Sequence, residues 1–74
     1  SMTEASMRQL AAAIVDRAVM DWHKAMSQLE DNPDYLYAWA DKDEIERFFE
    51  SEWFDFLCDI NPDFTKIHLQ EARA

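Results

Sequence analysis

The sequence predicts a small all-α protein, an antiparallel helical hairpin with a short third helix. Three observations support this fold class. The 74 residues include no glycine and two prolines, few of them are β-branched, and the apolar ones recur at helical spacing. A single cysteine cannot form an internal disulfide. Stability must therefore come from apolar packing within a single domain, and homodimerisation is an alternative way to complete so small a core.

The first helix is predicted over residues 5–30. Apolar residues recur there every three or four positions, which is typical of an amphipathic helix. They are Met7, Leu10, Ala11, Ile14, Ala18, Trp22, Ala25 and Leu29. Residues 1–4 precede this pattern and are expected to be disordered, as are residues 73–74.

Two matching signals divide the rest of the chain, Asn-Pro-Asp at residues 32–34 and again at 61–63. In each, the asparagine can cap a helix, the proline suits the first helical position, and the aspartate favours the positive end of the helix dipole. They predict a second helix over residues 33–59 and a third over residues 62–72.

A continuous second helix would carry most of the core. Ile45, Phe49, Trp53, Phe56 and Ile60 would then lie within a quarter-turn of one another. We expect Phe49, Trp53 and Phe56 to be buried against the first helix, at Leu10, Ile14 and Trp22. Asp41, Asp43 and Ser51 are weak helix formers and good caps, so a kink at 41–43 or a restart at Ser51 stays open as an alternative.

The densest stretch, Glu46 to about Leu69, resembles short proteins carried by phages, prophages and other mobile elements. In those proteins paired aromatics precede a Ser-acid-Trp-Phe core, as Phe48-Phe49 precede residues 51–54 here. The relatives often have a glycine turn where this chain has Asn61-Pro62. The resemblance implies phage origin, and it implies no established activity or catalytic residue.

The acidic charge is concentrated in the middle of the chain. Residues 30–63 hold twelve acidic and two basic residues, whereas residues 1–29 hold three of each. Such a field repels nucleic acids and anionic membranes and attracts basic proteins. The candidate residues of an acidic partner-binding face are Asp41, Asp43, Glu44, Glu46, Glu50, Glu52, Asp55 and Asp59.

A second candidate surface lies opposite the expected core stripe of a continuous second helix. Its apolar members, Leu36, Ala40, Phe54 and Cys58, would form a strip that a simple hairpin cannot easily bury. Clustered exposed apolar groups mark interaction sites, so the strip would contact a partner or a second copy. The alternative is that the first or third helix covers part of it.

No catalytic, metal or cofactor residue is predicted. Calcium loops need a turn glycine and a distal glutamate that residues 41–46 do not supply, and neither His23 nor His68 follows a glutamate at di-iron spacing. Cys58 lacks a nucleophile signature. No run approaches the about 18 apolar residues of a membrane span, and no signal peptide is evident, so we expect a cytoplasmic protein. Two or three helices of this length seldom enclose a catalytic pocket, so we expect that the protein is not an enzyme.

Two functions are expected from these features. One is a phage-encoded acidic inhibitor whose carboxylates replace nucleic-acid phosphates on a basic surface of a host defence protein. The other is an adaptor or homo-oligomer component that binds through exposed aromatics, without mimicry of nucleic acid.

Overall fold

The computed structural model describes residues 3–61 and shows an all-α fold of three helices. These are α1 (Glu4–Asp31), α2 (Leu36–Phe49) and α3 (Glu52–Ile60). No β-strand occurs within residues 3–61. The predicted all-α hairpin is confirmed, but its short third helix is α3, and the helix predicted over 62–72 lies outside the described residues.

Helix α1 forms the whole of the first arm. Thr3 caps it, because its Oγ1 accepts a hydrogen bond from the Ser6 backbone N at 3.1 Å, and Glu4 complements the dipole in the first turn. The expectation that residues 1–4 are disordered is therefore wrong for Thr3 and Glu4. Its 28 residues correspond to about 42 Å, close to the 45 Å long axis of the molecule.

The Asn-Pro-Asp segment at 32–34 reverses the chain and does not start a helix. The Asn32 side-chain oxygen accepts from the Asp34 backbone N at 3.2 Å, and the Asn32 carbonyl accepts from Tyr35 N at 3.1 Å. This local bonding favours a turn over a helical first residue. The predicted start at Pro33 is therefore wrong, and α2 begins at Leu36.

The second arm is broken at Glu50–Ser51, so the prediction of one helix over 33–59 is wrong and the alternative restart at Ser51 is confirmed. Ser51 has an extended backbone (φ −83°, ψ 158°). Its hydroxyl donates to the Phe48 carbonyl at 2.5 Å and accepts from Phe54 N at 3.1 Å. One side chain thus serves the end of α2 and the start of α3. Helix α2 is unbroken through residues 41–43.

The restart changes which face of the second arm is buried. Phe54 and Leu57 are 3% and 2% exposed, whereas Trp53 and Phe56 are 51% and 46% exposed. The expected burial of Phe49, Trp53 and Phe56 is therefore wrong for Trp53 and Phe56, and Phe49 is only partly buried. The expected contact at Leu10 is also wrong, because Leu10 is 49% exposed. The buried cluster that joins α3 to α1 consists of Ala11, Val15, Val19, Phe54 and Leu57.

The joint between α2 and α3 is held by three aromatic rings. Phe54 makes edge-on contacts with Phe48 and Phe49, with ring centroids 5.6 and 5.1 Å apart. At its far end, α3 is tied to the start of α1, because the Asn61 side-chain N donates to the Arg8 carbonyl at 3.3 Å. Helix α3 therefore extends the second arm along the N-terminal half of α1.

Candidate protein-interaction surfaces

The seam between α1 and α2 has two flanks, and one of them is closed by a polar network. Trp22 Nε1 on α1 donates to Glu46 Oε2 on α2 at 2.9 Å. Lys42 Nζ contacts the same carboxylate oxygen at 2.8 Å and lies 5.6 Å from the centre of the Trp39 ring. We call this side the closed flank. The bond from Trp22 crosses the seam, and Lys42 supports it from within α2.

Glu46 is the acceptor on which the closed flank depends. The hydrogen bond from Lys42, followed by that from Trp22, lowers the pKa of the Glu46 carboxyl below its ordinary value. The carboxylate is therefore held in its charged form, in which it can accept both bonds.

The other side, the open flank, contains a groove of about 600 Å³ between the helices. Helical spacing places the groove residues of α2 on the opposite edge of that helix from Lys42 and Glu46. The residues that line the groove are Ile14, Arg17, Ala18, Asp21, Lys24, Ala25, Gln28, Asp41, Glu44, Ile45, Phe48 and Trp53. Its floor is apolar and its two rims are charged.

The two rims of the groove differ in charge. On the α1 rim, Arg17 is paired with Asp21 at 3.4 Å, and Lys24 adds a second cation. The α2 rim presents Asp41 and Glu44, both exposed and without an ion-pair partner among residues 3–61. One rim therefore carries the cations of the groove, and the other carries only carboxylates.

Apolar side chains continue beyond the groove toward the end of α3. Trp53 and Phe56 lie side by side, with ring centroids 5.5 Å apart, and each is about half exposed. On α1, Met7 and Leu10 lie on the same helix face as Ile14 and are 40% and 49% exposed. The open flank thus gathers several large apolar groups on one side of the molecule.

An acidic stripe runs along α3 beside these aromatics. Glu52, Asp55 and Asp59 follow at steps of three and four residues, which places them along one edge of the helix. All three are exposed, and no lysine or arginine occurs between residues 48 and 61. Carboxylates and exposed aromatics therefore share the outer surface of α3.

The eight predicted acidic residues do not form one face. Asp41 and Glu44 line the groove, Glu46 belongs to the closed flank, and Asp43 is paired with Arg47 at 2.9 Å. Seven of the eight are exposed and Glu46 is half-buried. Glu52, Asp55 and Asp59 on α3 form a separate stripe that lacks basic neighbours.

The predicted apolar strip does not exist as a continuous surface. Leu36 is 78% exposed and Ala40 is also exposed, but Phe54 is buried in the core and Cys58 is half-buried. The strip was placed on a continuous helix, and the restart at Ser51 turns Phe54 inward. Met7, Leu10 and Ile14 were a usable signal for the open flank, since they share a face of α1.

Within residues 3–61, no group of three or more His, Cys, Asp or Glu side chains is placed to hold a metal ion. None of the three helices is long and apolar enough to cross a membrane. The sequence matches no protein-family model, no curated protein and no solved structure.

Proposed function

We propose that this chain is a small acidic protein-interaction module that binds a partner protein through α3. The observation that carries the proposal is the exposed pair Trp53 and Phe56 beside a stripe of carboxylates with no basic neighbour. Exposed aromatic clusters favour protein contact, and aromatic anchors contribute strongly to binding energy. The partner surface that complements α3 combines an apolar pocket with lysines or arginines.

The biological version that we favour is a phage-encoded inhibitor acting in the bacterial cytoplasm. Its support is the resemblance of residues 46–69 to proteins of mobile elements, together with the exposed Glu52, Asp55 and Asp59. Carboxylates on a helix could occupy the phosphate sites of a host nucleic-acid-binding protein, with no catalytic step. An adaptor that binds through the aromatics alone is the second candidate, because Trp53 and Phe56 are too exposed to be core residues.

Affinity capture from a bacterial host lysate tests the proposal, with the intact chain compared with two variants. Phe56→Ser removes an aromatic anchor, and a Glu52→Gln, Asp55→Asn, Asp59→Asn variant removes the charge of the stripe. Met20→Ser on α1 is the matched control, because Met20 is 57% exposed and lies away from α3. We expect a partner that the intact chain and the control retain and that both α3 variants lose.

The effect of ionic strength on capture distinguishes the inhibitor from the adaptor. Contacts between exposed charges weaken over about 0.1 to 0.5 M ionic strength, whereas apolar contacts persist. Capture lost to salt and to the stripe variant supports the inhibitor, and capture lost to Phe56→Ser alone supports the adaptor. A partner retained by both α3 variants would show that α3 is not the binding surface.

A further inference from the structure

The geometry points to a second function for the molecule's other exposed surface: the groove on the open flank is a self-complementary interface that pairs with the groove of a second copy. Two hairpins stacked in this way form a four-helix arrangement with two-fold symmetry. This interface shares Trp53 with the surface proposed above, but the acidic stripe of α3 and Phe56 do not line the groove, so the two proposals can be tested separately.

The apolar floor of the groove provides the driving force. Ile14, Ile45 and Phe48 are only half-buried in one copy, and Trp53 is half exposed at the end of the groove. A two-helix layer can cover one face of each helix, and a second layer covers the adjacent faces. The side chains on both walls project from helices, so the surface that fits them is another pair of helices.

Charge selects a second copy as the occupant. The cations Arg17 and Lys24 are on the α1 rim, and the carboxylates Asp41 and Glu44 are on the α2 rim. A two-fold axis parallel to the helices places α1 of each copy over α2 of the other. Each cationic rim then faces an acidic rim, so the facing walls of the two copies carry opposite charges.

The register of the hairpin brings specific charges to the same height. Trp22 is bonded to Glu46 across an antiparallel pair of helices, so Lys24 lies level with Glu44. A parallel two-fold axis preserves height along the helices. Lys24 of one copy therefore meets Glu44 of the other, twice in each dimer. An axis perpendicular to the helices would set α1 against α1 and bring like charges together.

The acidic charge of the chain does not oppose this contact, because most of it lies elsewhere. Residues 3–61 carry fourteen acidic and five basic residues, yet the groove holds three acids and two bases. Charge repulsion between two copies that meet across the open flank is therefore small. The groove is smaller than the about 20–30 residues a side of a standard interface, so we expect a weak association that depends on concentration.

Sedimentation of the intact chain over about 1 to 500 μM tests the inference, since that range spans micromolar dissociation constants. We expect a monomer–dimer equilibrium. Ala18→Glu places a charge on the groove wall and should raise the dissociation constant about tenfold or more. Ala13→Glu is the matched control, since Ala13 is exposed on the far side of α1, and it should leave dimerisation unchanged.

A charge exchange tests the orientation of the two copies. Lys24→Glu and Glu44→Lys should each weaken the dimer, because each places like charges opposite one another. The double variant restores both contacts and should recover most of the affinity. Both residues are exposed, so thermal melts of the monomers should show little change.

A chain that stays monomeric at the highest concentration overturns the inference. The groove would then be left to residues 62–74 or to another protein. It is also overturned by a dimer that Ala18→Glu leaves intact, which would lie elsewhere, or by a double charge exchange that fails to restore affinity. None of these results affects the proposal for α3, which the Phe56 and stripe variants test separately.

Discussion

The two flanks of the α1–α2 seam differ in the kind of side chains that lie between the helices. On the closed flank, Trp22 joins α1 to α2 through a 2.9 Å hydrogen bond to Glu46, and Lys42 on α2 contacts the same carboxylate at 2.8 Å. On the open flank, apolar side chains line a groove that nothing in residues 3–61 fills. Polar closure uses groups that the chain itself supplies, whereas an apolar wall gains stability only when something covers it.

The difference shows why a chain of 74 residues can fold and still present binding surfaces. A domain this small buries only about 60% of the surface of its unfolded chain. Part of the apolar surface left over lies on the open flank and on α3, where Leu10, Trp53 and Phe56 are about half exposed. A second copy or a partner can cover that part.

The largest expected effect contrasts two neighbours on α3, one in the core and one on the open flank. Phe54→Ala should destabilise the fold by about 3–5 kcal/mol, the usual cost of deleting a buried aromatic ring, because Phe54 is 3% exposed. Trp53→Ala should cost much less, since Trp53 is 51% exposed. Urea unfolding of both variants, at a concentration where the chain is monomeric, measures the difference.

Equal losses in the two variants would mean that α3 is rotated from the position described. The test distinguishes the two arrangements clearly. A continuous second helix would bury Trp53 and expose Phe54, so Trp53→Ala would then cause the larger loss of stability. The position of Trp53 at the end of the groove would then be wrong too, since it depends on the phase of α3.

The phase of α3 could not be settled from the sequence, and the reason is physical. Ser51 is a weak helix former and a good cap, but this preference amounts to only about 0.5–2 kcal/mol, and tertiary packing can override it. The decision depends on packing between Phe54 and the rings of Phe48 and Phe49, which brings Phe54 inward. The all-α class and the end of α1 at Asp31 could be predicted, because they depend on periodicity and on local turn bonding.

The candidate surfaces were predictable only in part, for the same reason. Exposure of Leu36 and of most of the acids followed from their helical positions, and these residues are exposed. The closed flank depends on Trp22 and Glu46, which are 24 residues apart, and no local pattern links them. The groove follows from that register, so it also appears only in the folded chain.

A smaller effect is expected from Ser51, the residue that sets which side of α3 faces the open flank. Ser51→Ala should destabilise the fold by about 0.5–2 kcal/mol, because the cap bond to Phe54 N and the bond to the Phe48 carbonyl are both lost. Ser27→Ala is the control, since Ser27 is exposed within α1, where alanine is the better helix former. Thermal melts compare the two, and a Ser51 variant as stable as the Ser27 variant would show that packing alone holds the break.

The smallest expected effect separates the flanks by pH, using two glutamates two positions apart on α2. Lys42 and Trp22 lower the pKa of Glu46, so its charged form is stabilised by folding. That contribution is present above the unfolded pKa of about 4.3 and is lost as the pH falls through the lower, folded pKa. Glu46→Gln should therefore destabilise the fold at pH 7, by less than about 1 kcal/mol because the pair is partly exposed, and its difference from the parent should shrink toward pH 3. Glu44→Gln, on the open flank and without an ion-pair partner among residues 3–61, is the matched control for the loss of one carboxylate. Urea titrations from pH 3 to pH 7 provide the measurement, and matching pH profiles for the two variants would mean that the closed flank is not held by the Glu46 carboxylate.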